Sequence, residues 1–208
     1  MNNRIAPRYF ALPTVFLLGL VASAQAAAPA ATAAKAWTID LSKGTGAVEF
    51  VAVGRPSGIK IVGKGDGPHG HFETDGKKVT GEAIFKMDSL DTGMDLRNHH
   101  MKEKYLEVQK FPESKLSVTE VNLPAGALGT STFSFDKVPF KGTLKLHGVE
   151  KPVTGIVDLK GGSGKIDMVA SFETPISDYG IDIPKFAGIT VADKVQVKVT
   201  SSSPIAKH

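Results

Sequence analysis

Over most of its length this chain alternates. Val48, Phe50 and Ala52 are interleaved with Glu49 and Val51, and Ala83, Phe85 and Met87 with Ile84 and Lys86. Leu116 and Val118 flank Ser117, and Leu144 and Leu146 flank Lys145. Ile166, Met168, Ala170 and Phe172 form a further set, and Val195, Val197 and Val199 the last. A period of two sends successive side chains to opposite faces of a strand. Each run is bounded by Gly, Pro, Asp or Asn, which end strands. One apolar face and one polar face fit antiparallel strands with a core on one side and water on the other. About eight strands at this spacing predict an all-β sandwich or closed barrel. A closed barrel of about eight strands has room for packed side chains or for one small ligand.

One segment breaks the alternation. Asp95 to Val108 lacks Gly and Pro, and Met101, Tyr105 and Val108 fall at the spacing of one helical face. Phe111-Pro112 closes it, because the residue before proline resists the helical region. One short helix over about 95–108 is therefore expected among the strands. Gly63 to Gly70 reads as a glycine-rich bend, and Gly161-Gly162-Ser163-Gly164 as a turn.

The beginning of the chain follows another logic. Arg4 and Arg8 precede an uncharged apolar run from Phe10 to Val21, and Ala24-Gln25-Ala26 supplies a small-x-small pattern. That order predicts a secretory signal peptide over 1–26, cut after Ala26, and a periplasmic destination. The apolar run is roughly a dozen residues, short of the roughly 20 that span a bilayer as a helix. Residues 27–36, rich in Ala, Pro and Thr, read as a leader without packing capacity. The folded domain is expected over 37–202, with a tail over 203–208.

Composition removes several chemistries. The 208 residues include no cysteine, so disulfides, thiolate metal sites and thiol nucleophiles are out. The net charge of +4 is spread along the chain without the clustering that nucleic acid binding needs. His69 and His71 share a face if their segment is a strand, but zinc takes three or four ligands. His99 and His100 are adjacent and point apart on a helix. Ser163 lacks the outer glycines of a nucleophile elbow. Asp88 and Asp91 sit at a strand end, where aspartate commonly caps turns. Gly63, Gly65 and Gly67 alternate outside the strand-to-helix context of a phosphate loop.

Three stretches resemble the YceI family of periplasmic lipid-binding proteins. The first runs from Ser89-Leu90-Asp91-Thr92 through Leu96-Arg97-Asn98-His99-His100-Met101 and Tyr105-Leu106-Glu107-Val108 to Phe111-Pro112. The second is Leu144-Lys145-Leu146-His147-Gly148-Val149-Glu150-Lys151-Pro152-Val153. The third is Ser177-Asp178-Tyr179-Gly180-Ile181. Order and spacing agree over about residues 36–200. The sequence departs from the family pattern at Asn98, usually aspartate, at Gly54-Arg55, often histidine and glycine, and at Ile176, often arginine.

The resemblance implies an extended, eight-stranded antiparallel lipocalin-like barrel beside one helix, holding an isoprenoid lipid such as ubiquinone in an apolar tunnel. It implies a non-catalytic carrier or store with no covalent cofactor and no metal. Carried over by match are Phe50, Phe72, Phe85, Met101, Tyr105, Leu106, Phe111, Leu116, Leu144 and Leu146 as lipid-contacting positions, with Arg97 and His100 as polar support. Met87, Leu90, Phe140 and Phe172 join them as apolar side chains of the same segments and faces. Expected partners are the lipid and a transient membrane contact; a homodimer stays open, and nucleic acid is not expected. Two readings compete: a metal-dependent or serine hydrolase on the same barrel, and a solid-cored structural or interaction protein.

Overall fold

A computed structural model describes residues 37–56, 58–74, 78–123, 132–186 and 188–207. The expected signal peptide and leader lie outside the described residues. Twelve antiparallel strands form one sheet: β1 (Trp37–Asp40), β2 (Thr45–Arg55), β3 (Ile59–Asp66), β4 (His69–Thr74), β5 (Val79–Lys86), β6 (Glu113–Val121), β7 (Thr132–Leu146), β8 (Val149–Gly162), β9 (Lys165–Pro175), β10 (Lys185–Phe186), β11 (Ile189–Val191) and β12 (Lys194–Lys207). β1 pairs with both β4 and β12, so the path β1-β4-β5-β6-β7-β8-β9-β12 returns to its start. The protein is a closed barrel of eight antiparallel strands.

Two of its staves are broken. A single 3-10 turn, Leu41–Lys43, separates β1 from β2, and both lie along β12: β2 against Gln196–Ser202, β1 against Ile205–Lys207. Beside them β3 pairs with β2 and β4 with β1. β4 continues the ring by pairing with β5, but β3 does not. The wall therefore parts between β3 and β5, and the segment after β5 fills the gap. There the backbone of Asp91 exchanges hydrogen bonds of 2.8 and 2.7 Å with Lys64.

Residues 203–207, set apart as part of a tail, continue the wall. β12 runs to Lys207, and Ser203 is fully buried, its hydroxyl 2.8 Å from that of Ser201. Ile205 pairs with Ile39 and closes the ring. The helix also differs from expectation. α1 covers only Asp95–His99, and a wider π-helical stretch follows, His100–Tyr105. It ends before Val108 because Glu107 takes a left-handed conformation, φ 43°.

The inward faces of the strands make one core, including Ile39, Phe85, Leu116, Phe140, Leu144, Val157, Ile166 and Phe172. At one end it is dense. Trp37, Ile39, Val79, Leu123, Leu159, Ile166 and Ile205 leave a void of only about 20 Å³ there. No described helix is long and apolar enough to cross a membrane.

Candidate functional site: an apolar cavity beneath the helix

The other half of the barrel is hollow. A cavity of about 440 Å³ lies beneath the segment that fills the gap between β3 and β5, within the range of small-ligand sites. Its wall is almost wholly apolar. Phe50, Ala52 and Val48 come from β2, Phe85 from β5, Leu144 and Leu146 from β7, Phe172 from β9, and Val195 and Val197 from β12. Alternation explains the set: Val197 pairs with Phe50 on one side and Phe172 on the other, so the three point inward together. Phe50 faces Gly63 across the β2–β3 pair, and a Cβ at Gly63 would stand 2.1 Å from the ring. Glycine there lets the aromatic ring lie flat against its neighbour strand.

The helical segment forms one side. Met101, Tyr105 and Leu106 border the cavity. The π-helical winding aligns residues five apart, here Met101 and Leu106, whose backbones are joined by a 2.8 Å hydrogen bond. Met87 and Leu90, in the turn after β5, lie below. The segment is pinned at its start. Thr92 donates through its amide and hydroxyl to Asn98 Oδ1, at 2.8 and 2.6 Å, and its hydroxyl accepts from Arg97 Nε at 2.8 Å. Asn98 Nδ2 donates to Asp91 Oδ1 at 2.6 Å. The amide thus acts both ways, accepting from Thr92 and donating to Asp91, which an aspartate could not do. Arg97 and His100 both border the cavity. Arg97 is spent on Thr92, while His100 sits 6.3 Å from the ring of Phe186.

A hairpin made of β10 and β11 overhangs the mouth. It is held to the end of β2 by the Thr190–Arg55 and Val191–Gly54 pairs. A Cβ at Gly54 would come within 2.7 Å of Ile189 Cγ2, so glycine lets the hairpin close down. Lys185, Phe186, Ile189 and Val191 of this hairpin all border the cavity, as does Ile176 from the preceding turn.

Most of the apolar side chains expected at the site meet here: Phe50, Phe85, Met87, Leu90, Met101, Tyr105, Leu106, Leu144, Leu146 and Phe172. Four stand elsewhere. Phe72 packs against the core from β4, away from the hollow end. Leu116 is buried in the core. Phe140 fills space behind Phe172, edge-on at 6.2 Å. Phe111 lies over Gly148 and tilts against the His147 ring at 4.4 Å.

Phe111 belongs to a latch that joins the three sequence motifs. His147, in the β7–β8 turn, lies 3.0 Å through Nε2 from Glu107 Oε2 and 3.1 Å through Nδ1 from the Tyr179 carbonyl. Lys110 also bonds Glu107, and together with His147 it holds the carboxyl below the usual glutamate range. Tyr179 is almost fully buried, and its hydroxyl accepts from Thr174 at 3.1 Å. Burial pushes the phenol up from its ordinary value. The latch ties the end of the helical segment to two turns of the barrel. Sequence reading missed it because its partners lie far apart in the chain.

The residues weighed for catalysis or metal binding do not converge. Among the described residues, no three His, Asp or Glu side chains form a metal cluster. His69 reaches Glu113 at 4.0 Å on the outer wall. Ser163 is exposed in the β8–β9 turn, at φ 51°. Asp91 caps its own turn, accepting from the Gly93 amide at 2.7 Å.

A closed eight-stranded barrel with an apolar cavity beneath a helix defines a lipocalin-like binding architecture. A YceI-like domain model matches residues 37–202, and the chain belongs to that family. The fold resembles a polyisoprenoid binding domain from Saccharophagus degradans implicated in plant cell wall breakdown, at 17% identity, 83% coverage of this chain, 99% of that one and TM-score 0.63. It also resembles BcnA of Burkholderia cenocepacia, at 18% identity, 81% and 99% coverage and TM-score 0.60. A Campylobacter jejuni YceI protein aligns at 15% identity, 71% and 85% coverage and TM-score 0.53. No curated protein matches the sequence.

Proposed function

We propose that this protein is a non-catalytic periplasmic carrier or store of an isoprenoid lipid, a quinone or polyprenol, whose tail lies in the cavity. The observation that carries the reading is the hollow half itself, about 440 Å³ with an apolar wall, in a barrel whose other half is full. Burying a methylene contributes about 0.8 kcal/mol. Ten buried tail carbons would contribute about 8 kcal/mol, equivalent to micromolar binding before ordering costs. No strong polar anchor is required, which agrees with Arg97 being committed to Thr92. The polyisoprenoid binding of the Saccharophagus degradans domain supports the ligand class.

The periplasmic part rests on the sequence of residues 1–26. N-terminal sequencing of the exported protein should begin at Ala27. For the ligand, protein purified from its host should yield organic-extractable isoprenoid by mass spectrometry, and the stripped protein should take up added ubiquinone. An empty extract together with no uptake of quinone or polyprenol would overturn the reading.

A further inference from the structure

Six large apolar side chains are exposed among the described residues; Ile156 and Val62, the two least exposed, stand away from the cavity, and the other four gather at it. Phe186 is 65% exposed, Met94 56%, Leu96 55% and Ile59 49%, and all four also border the cavity. They come from separate stretches, the start of β3, the start of the helical segment and the β10–β11 hairpin, that border one cavity. Lone exposed apolar residues need no explanation, but a set gathered on one rim does.

The charges at the tips of the two hairpins have one sign. Between Val51 and Lys60 the charged residues are Arg55 and Lys60, and between Ile183 and Ala192 the charged residue is Lys185. All are exposed, and among the described residues none has an ion-pair partner. The nearby acids are Asp95, Asp182 and Asp193, the last bonded to the Ser177 amide and hydroxyl at 2.9 and 2.8 Å. Protein–protein interfaces are poor in lysine. An apolar rim bordered by unpaired cations instead fits the acyl boundary and phosphates of an anionic phospholipid surface.

We propose that the mouth of the barrel docks on an anionic phospholipid bilayer. Phe186, Leu96, Met94 and Ile59 enter the headgroup–acyl boundary, and Arg55, Lys60 and Lys185 lie against the phosphates. The cavity then opens straight into the lipid phase, so an apolar tail crosses without meeting water. This purpose, though not the docking itself, rests on the lipid-carrying reading.

Flotation of the full chain with vesicles tests it. Phosphatidylglycerol–phosphatidylethanolamine vesicles should carry the protein upward, and phosphatidylcholine vesicles should carry much less. Arg55→Gln and Lys60→Gln should each weaken partitioning by about fivefold, the value of one basic residue at an anionic surface. Neither borders the cavity, so uptake of quinone from detergent micelles should be unchanged in both. The Leu96→Ser, Phe186→Ser double variant should lose flotation more than tenfold with its melting temperature retained. Wild-type protein that stays with the bottom fraction overturns the proposal, and so does flotation indifferent to both sets of substitutions. If Phe186→Ser instead turns a dimer into a monomer in sedimentation and leaves flotation intact, the rim is a self-association surface and the proposal falls. Flotation without any lipid uptake would keep docking and remove only the carrier reading.

Discussion

The two ends of the barrel share their strands and differ in what fills them. At the closed end, Trp37, Ile39, Leu123, Leu159 and Ile166 leave a void of about 20 Å³, room for about one water. At the open end, the same β12 that contributes Ile205 to the closed end contributes Val195 and Val197 to a cavity of about 440 Å³. Polarity does not separate the two ends, since both interiors are apolar. Geometry does. Where β4 pairs with β5 the ring is tight and side chains plug it. Where β3 leaves β5, an inserted helical segment spans the gap and space remains beneath it. The solid-cored reading therefore describes one end of this molecule and fails at the other.

The largest effect that sharpens the contrast is on stability. Ile166 is 2% exposed in the full end, and Ile166→Ala should cost about 3 kcal/mol through lost burial and a new void. Val197→Ala should cost about 1 kcal/mol, because its side chain already borders empty space. Urea denaturation of both variants gives the comparison, and equal costs would mean the two ends are packed alike.

A smaller effect runs the other way. Val197→Trp enlarges a side chain where room exists, so stability should hold within about 1 kcal/mol. The indole would displace about three ligand carbons, weakening quinone uptake by roughly fiftyfold. Unchanged uptake would place the bound tail elsewhere.

How far the sequence reveals this division depends on which rule each part obeys. The barrel is legible because a period of two runs through most of its long staves. Phe50, Phe85, Leu144 and Phe172 could be read as inward-facing from that period alone. Ser201-Ser202-Ser203-Pro204 could not, since serines and proline signal a loop while Ser203 is in fact fully buried in β12. The hairpin over the mouth is equally opaque: strands as short as Lys185–Phe186 and Ile189–Val191 show no alternation. Leu96 and Phe186 were missed as cavity residues because inward and outward positions lose their meaning at a rim. Phe111 was misplaced because motif membership marks importance without saying whether the importance is for the cavity or for the His147 latch.

The subtlest difference between the ends concerns acid. The open end depends on a segment held by polar contacts rather than by the ladder, and Asp91 is central to it. Its carboxylate accepts from the Gly93 amide and from Asn98 Nδ2, at 2.7 and 2.6 Å. Those bonds favour the ionised form and hold its pKa below the ordinary 3.8. A folded value below the unfolded one gives stabilisation that is complete above the unfolded value and fades as pH falls through it toward the folded value. The helical segment should therefore loosen from about pH 4 downward, ahead of the ladder-bonded closed end. Protection from hydrogen exchange at Asn98, whose amide bonds Met94 O at 2.9 Å, taken relative to the intrinsic rate at each pH, should fall in that range before protection at Ile166 does. Asp91→Asn should quicken Asn98 exchange at pH 7 and make it converge on the wild type as pH falls through the folded value. The diagnostic feature is the convergence of the two proteins in acid. A gap that persists undiminished there would mean that packing beneath the helix, rather than the Asp91 charge, keeps the cavity covered.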